Sequence, residues 1–161
     1  DEKLLDTYQS ERFSNVKEYI ETTMRMGEFV NAVGSTKITD NISLDTDGTE
    51  SMKSIKPQLG AGLGKKKDQN RGKIFPQFKL KNGKNLDEKF SNKPLLIVSS
   101  NIKKKISSKL NYINSINVNG LCKYLENISS CALIVRPDRF VLQSCKSVKY
   151  FQKFIDFFNK F

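Results

Sequence analysis

A chain of 161 residues holds one domain, or a small domain with an appendage. Charged residues make up 28% and the apolar set 37%, the balance of a folded protein rather than a disordered one. The longest apolar runs reach about five residues, far short of the ~20 that cross a bilayer, which argues against a membrane-spanning helix.

The net charge of +11 raises the question of nucleic acid, because a clustered basic face attracts phosphate whatever the base sequence. The cations are 23 Lys against 5 Arg beside 14 Asn, which reads as a compositional bias. Lys65–Lys67 and Lys103–Lys105 are short and separate, so both read as solvated faces. Neither nucleic acid nor membrane is expected as a partner. The opening DEKLLD has no basic and apolar leader pattern and no initiator Met, which suggests a chain cut from a longer one. Three scattered cysteines, Cys122, Cys131 and Cys145, and no histidine leave no usual zinc set and no His-based triad. Free thiols without a secretion signal point to the cytoplasm.

In chain order, residues 3–33 read as a helix. Leu5, Tyr8, Phe13, Val16, Ile20 and Met24 form a stripe at spacings of three to five, and Gly34-Ser35 is a stop signal. Glu21 and Arg25 are placed for an i,i+4 ion pair. Residues 34–72 turn polar, with single apolar residues such as Ile38, Ile42, Leu44 and Leu59, and read as a wrapping linker between two units. Lys73–Leu80 is extended, with Pro76 marking an edge or irregular strand. Asn82-Gly83 turns the chain, Leu86–Phe90 makes a helical turn, and Pro94–Ser99 is a buried strand. A helix is expected over Ile102–Tyr112, a short strand over Ile116–Val118, and a helix over Gly120–Ile128. Cys131–Gln143 (CALIVRPDRFVLQ) reads as a β-hairpin. Pro137 presets φ at its first central turn position and Asp138 suits the second. Its first arm is apolar on both sides, so both faces should be covered. A final helix runs over Ser147–Phe161, with Val148, Phe151, Ile155 and Phe158 in one stripe.

The order β-α-β-α-β-β-α, with a parallel start, an antiparallel hairpin and a closing helix, is a three-layer α/β sandwich of thioredoxin-like arrangement. A working thioredoxin carries CxxC where the first buried strand meets its helix. Ser99-Ser100-Asn101 stands there, and Ile128-Ser129-Ser130 lacks the proline expected before the hairpin. With no nucleophilic thiol and resolving partner, the fold is read without the activity.

Other motifs carry little. Gly60-Ala61-Gly62-Leu63-Gly64-Lys65 fits neither the dinucleotide fingerprint nor a P-loop: the sixth position is Lys65 or Lys67, and Lys66 follows Gly64-Lys65. Asn41-Ile42-Ser43 and Asn127-Ile128-Ser129 are chance sequon matches. Asp87-Glu88 and Asp45/Asp47 sit in polar stretches with no convergent partner. No catalytic, cofactor-binding or metal-binding residue is assigned in this chain.

The ordered segments together carry a resemblance. Leu4–Arg12 (LLDTYQSER), continuing to IETTMRMG, resembles the helix that follows the flavin-binding core of the FAD-dependent aromatic-ring hydroxylases. The nearest subgroup includes 3-(3-hydroxyphenyl)propionate hydroxylase and the phenol-hydroxylase-like monooxygenases. PQLGAGLG (57–64), GKIFPQ (72–77), LKNGKNLD (80–87) and LIVRPDRFVL (133–142) resemble that subgroup's C-terminal region in order and spacing. The likeness covers nearly the whole chain, is weak around residues 35–55, and departs at Phe13, where relatives often carry an Arg. It implies a parent enzyme that uses FAD and NAD(P)H to activate O₂ and hydroxylate a phenolic ring. FAD would be held by a GxGxxG and a GD-containing segment, both upstream of Asp1, so no cofactor-contacting residue carries over.

The expected organisation is thus 1–34, the last helix of the flavin core; 35–72, a linker; and 73–161, a non-redox thioredoxin-like domain. The partners would be the N-terminal FAD domain, further copies in a homo-oligomer and, for the parent enzyme, an aromatic substrate. The fragment alone would be inactive, serving to cover the core and make subunit contacts. The competing expectation is a stand-alone, non-redox thioredoxin-like module that binds another protein.

Overall fold

Helix α1 (Glu2–Gly34) begins the chain in the computed structural model of the protein, which describes residues 2–34, 56–60, 62, 67–89, 93–102, 106–107 and 110–159. The chain divides into two compact units, Asp1–Gly60 and Ala61–Phe161.

In the first unit α1 is about 50 Å long at ~1.5 Å per residue. Its apolar stripe is present, and all of it is exposed, from Leu5 through Tyr8, Phe13, Val16 and Ile20 to Met24. A different face is covered. The segment Pro57–Gly60 lies along it, with the Gly60 N–H donating to the Glu11 carbonyl (2.8 Å) and Asn15 Nδ2 donating to the Pro57 carbonyl (3.0 Å). Leu59 is buried there, as are Glu11 and Asn15. Only glycine fits at position 60, because a Cβ would stand 2.3 Å from the Ser10 carbonyl oxygen. The other apolar positions named in the linker, Ile38, Ile42 and Leu44, lie outside the described residues. The expected Glu21–Arg25 pair is replaced. Arg25 donates to the Glu21 backbone carbonyl (3.3 Å) and to Thr22 Oγ1 (3.2 Å), which leaves the Glu21 carboxylate to Lys17 (3.7 Å). A guanidinium satisfied by the preceding turn has little to gain from an exposed carboxylate.

The second unit is built on a four-stranded sheet. Its strands are β1 (Leu95–Val98), β2 (Tyr112–Asn114), β3 (Ala132–Val135) and β4 (Val141–Cys145), in the order β2-β1-β3-β4. β1 is parallel to β2 and antiparallel to β3, and β3 is antiparallel to β4. All eight residues of β1 and β3 are buried, as two central, uninterrupted apolar strands require. Their side chains alternate between two cores. Leu95, Ile97, Leu133 and Val135 pack with Leu121 and Leu125 of α2 (Leu121–Asn127). Leu96, Val98 and Ile134 pack with Phe151, Phe154 and Phe158 of α3 (Phe151–Phe158). Among the described residues the protein is therefore mixed α/β, with three α-helices and a four-stranded mixed sheet.

Two expectations fail in the crossover. Ile102, Ile106, Ser107, Leu110 and Asn111 are not helical, and turns are closed by Ile102 N–H to Ser99 O (3.1 Å) and Leu110 N–H to Ser107 O (3.1 Å). Ser and Asn bond their own backbone readily, and three adjacent lysines repel, so the local preference for helix is weak. Ile102, Ile106 and Leu110 still pack with the α3-side core. Residues 99–111 supply the dozen or so positions that a parallel connection needs. The second strand forms earlier than expected, at Tyr112–Asn114 rather than Ile116–Val118, because Leu96 to Val98 pair with those residues. Asn114 Oδ1 then accepts from Ile116 N–H (3.1 Å) and starts a 3-10 turn over Ser115–Asn117. Val118 is left with a single bridge to Leu80.

The hairpin follows its expected turn chemistry. Arg139 N–H donates to Arg136 O (2.9 Å), which puts Pro137 and Asp138 at the two central positions. Arg139 itself is left-handed (φ 67°), the bulge position that follows a type I turn in a three-residue hairpin loop. Ser147 caps the last helical segment, its Oγ accepting from Lys149 N–H (3.3 Å), and a 3-10 turn over Val148–Tyr150 leads into α3.

Candidate functional site

Three of the stretches that carry the resemblance, two of them more than 45 residues before the third, meet at one place. Left-handed Arg139 directs its guanidinium to two of them. Nη1 stands 2.9 Å from Asp87 Oδ2, and Nη2 donates to the Phe75 carbonyl at 3.1 Å. The backbone is tied back as well, since Phe75 N–H donates to the Arg139 carbonyl (2.8 Å) and Ile74 bridges Phe140. GKIFPQ, LKNGKNLD and RPDRFVL therefore share one cluster, held from a non-glycine residue in a conformation that costs ~1–2 kcal/mol. Arg136 and Asp138 pair with each other at 2.8 Å, which stiffens the same turn.

This arrangement assigns Asp87 and Glu88 to separate structural tasks. Asp87 serves Arg139. Glu88 accepts from Asn85 N–H (3.3 Å) and faces Lys84 Nζ at 3.6 Å. Their carboxylates do not converge, so they make no acid/base pair. Asp45, Asp47 and the Asn41 sequon lie outside the described residues, as do Lys65, Lys66 and Lys103–Lys105. Asn127 is the last residue of α2. Of the glycine-rich stretch, Gly60 is spent on the close approach to α1, which is not a phosphate cradle and does not fit an FAD site.

A second cluster gave no signal in the sequence. Asp68 accepts from the Ser144 N–H, from Ser144 Oγ (2.7 Å) and from Asn70 N–H (3.0 Å). Buried Asn70 donates through Nδ2 to Ile128 O (3.2 Å), Ser130 Oγ (3.2 Å) and Ser144 Oγ (3.3 Å). Gly72 and Lys73 continue along the strand, Gly72 N–H donating to Val141 O (2.8 Å) and Val141 N–H to Lys73 O (2.9 Å). Together these groups occupy the outer edge of β4, which would otherwise present unpaired backbone to other chains. Nothing in Asp68-Gln69-Asn70 marks it for this, because its partners are 58 to 76 residues away.

The Cys131 thiol is held neutral. Burial, then the neighbouring Cys145 thiol, pushes Cys131 up to about 12. Its backbone N–H donates to the Cys145 carbonyl at 2.7 Å. Cys145 Sγ donates to Ser147 O (3.3 Å), and Cys122 Sγ to Ser115 Oγ (3.2 Å). A thiol that far from ionising is a poor nucleophile. Where CxxC would stand, Ser100 N–H donates to Ser115 Oγ (3.2 Å) and Asn101 N–H to Ser99 Oγ (3.4 Å), so the two hydroxyls at these contacts serve the turn. Among the described residues no group of three His, Cys, Asp or Glu could hold a metal, and no helix is long and apolar enough to cross a membrane.

What α1 offers is a surface. Tyr8, Phe13, Val16 and Ile20 line a shallow groove along it, flanked by Arg12, Lys17 and Glu21. An apolar stripe with a charged border marks an interaction face. Comparison with protein-family models, with curated proteins and with solved structures returns no match.

Proposed function

We propose that this chain is the C-terminal part of an FAD- and NAD(P)H-dependent monooxygenase that hydroxylates a phenolic or other aromatic substrate. In this reading α1 is the last helix of the flavin core. Ala61–Phe161 carries a thioredoxin-like domain without redox function, which covers the core and makes subunit contacts in a cytoplasmic homo-oligomer. The flavin supplies the oxygen chemistry, and the residues that hold it lie upstream of Asp1.

The observation that carries the reading is the convergence of GKIFPQ, LKNGKNLD and RPDRFVL on Arg139, Asp87 and the Phe75 carbonyl. Motifs that are separate in sequence and joined in space have a physical reason to occur together. The strand order β2-β1-β3-β4, with only β3 running against the other three, supports the thioredoxin-like assignment. Non-helical Ile102, Ile106, Ser107, Leu110 and Asn111 depart from that fold, which has a helix there. The exposed stripe on α1 supports the presence of a covering core.

The test is the reading frame upstream of the Asp1 codon. An in-frame coding sequence with GxGxxG and a GD-containing segment is expected. A start codon directly before Asp1 would overturn the reading in favour of a stand-alone interaction module. The purified 161-residue chain should be colourless, and co-purified FAD would refute the upstream placement of the cofactor site.

A further inference from the structure

We propose that Cys131 and Cys145 are a redox pair, which a small peroxide closes into a reversible disulfide that locks the open end of the β3–β4 hairpin. Cys131 directly precedes β3 and Cys145 ends β4. The Cys131 N–H donates to the Cys145 carbonyl at 2.7 Å, and Cys145 is in register with Ala132, the next residue along. Strand residues joined in this way have Cα atoms ~5.5 Å apart, inside the roughly 4.4–6.8 Å that a disulfide spans. Both side chains pack with the same core, the one that holds Phe151 and Phe154. Their sulfurs are near enough for one thiol to hydrogen-bond the other. Cys145 is buried, but Cys131 is only half-buried and gives a small oxidant a way in.

The fold, not the sequence, selects this pair. Cys122 is nearer to Cys131 along the chain than Cys145 is. It lies on α2, however, whose Leu121 and Leu125 pack against the other face of the sheet, and its thiol donates to Ser115 Oγ. The chemistry balances with hydrogen peroxide as oxidant. One thiol becomes a sulfenic acid as the O–O bond breaks and the first water leaves. The second sulfur then attacks the first. The S–S bond forms, the S–O bond breaks, and the oxygen departs as a second water with the second thiol's proton. The high pKa of Cys131 slows this thiolate chemistry, so the pair is a slow latch and not a catalytic dithiol. The hairpin is already closed at its other end by the Arg139-to-Arg136 backbone bond around Pro137-Asp138. A disulfide here closes a loop of about 15 residues, which restricts the unfolded chain. It also removes the hydrogen that the Cys145 thiol gives to the Ser147 carbonyl, at the lead into α3. The inference is independent of what lies upstream of Asp1.

The test treats the full chain with stoichiometric hydrogen peroxide and maps its unreduced peptides by mass spectrometry. A Cys131–Cys145 link is expected in the folded chain, with the thiol titre falling from three to one and Cys122 left free. Dithiothreitol should restore all three thiols, and the oxidised chain should melt several degrees above the reduced one. Oxidised in urea, the chain should instead give mixed links that include Cys122–Cys131. Cys122→Ala should keep the native link. Cys131→Ala, a change at a half-buried position, should lose it and leave the other two cysteines unlinked. The proposal is overturned by a folded chain that keeps three thiols, by thiols lost without a Cys131–Cys145 link, or by the same mixture of links in the folded chain and in urea. An oxidised chain that melts with the reduced one overturns the latch.

Discussion

Helix α1 and the sheet domain are written in the same alphabet and behave in opposite ways. Ile97 and Ile134 have no exposed surface, while Ile20 is 55% exposed. All three sit in apolar patterns that sequence alone reads as core. The difference lies in what each pattern meets. β1 and β3 are sandwiched between α2 and α3, and each buried side chain there contributes ~1.5–3 kcal/mol. The stripe of α1 gains none of this within the described residues, since Pro57–Gly60 covers another face of the helix. Apolar periodicity thus states that a face is made to be covered, and leaves open whether the cover belongs to the same chain. On the proposed function, the stabilisation missing from α1 is supplied by the flavin core.

The contrast breaks most visibly in the middle of the sheet. Leu133→Ala empties a fully buried site packed against α2, and should cost about 2–5 kcal/mol in chemical denaturation. A loss below about 1 kcal/mol would mean that the sheet domain is as loosely covered as α1. A smaller effect is expected at the motif cluster. Arg139→Ala removes a charge-assisted bond to the Phe75 carbonyl and a half-exposed pair with Asp87, for about 1–3 kcal/mol. Arg139→Gly loses the same contacts but relieves the left-handed backbone, and should cost less by about 1 kcal/mol. Equal losses would show that the left-handed backbone stores no strain and that the lost guanidinium contacts account for the whole effect.

How far the fold could be read from sequence follows the same division between local and distant causes. α1, the buried β1, α2, the hairpin with Pro137 and Asp138 at its turn, and the Phe-rich α3 are set by periodicity and by neighbours within a few residues. The crossover was not legible. Ile102, Ile106 and Leu110 have helical spacing, yet none of the three is helical, in a stretch where Ser107 and Asn111 bond their own backbone readily. The position of β2 depends on its partner β1, which no local pattern specifies. Glu21 chose Lys17 over Arg25 for a reason equally invisible, the hydroxyl and carbonyl one turn back. In the clusters, Arg139, Asp87 and Phe75 were visible as pieces of separate motifs, but their junction was not. Asp68 and Asn70 were hidden entirely, because what makes them important is the edge of β4. Cys131 shows a milder case, a residue read as a free thiol whose neutrality comes first from burial and then from a neighbour 14 positions on.

The smallest effect tests the other side of the comparison. Ile20→Ser replaces an exposed isoleucine in the middle of the α1 stripe. If nothing in this chain covers it, the change should shift the stability of the isolated protein by no more than about 0.5 kcal/mol, the usual range for surface substitutions. The same substitution in the complete reading frame should be far more damaging if a core docks there, since a buried Ile→Ser change loses the transfer energy of the side chain and buries a hydroxyl. The two measurements together separate the readings. A neutral change in the short chain and a large loss in the long one identify the stripe as an interface made for an absent domain. A loss above about 2 kcal/mol in the short chain would place Ile20 inside a core of this chain, and the contrast between α1 and the sheet domain would fall with it.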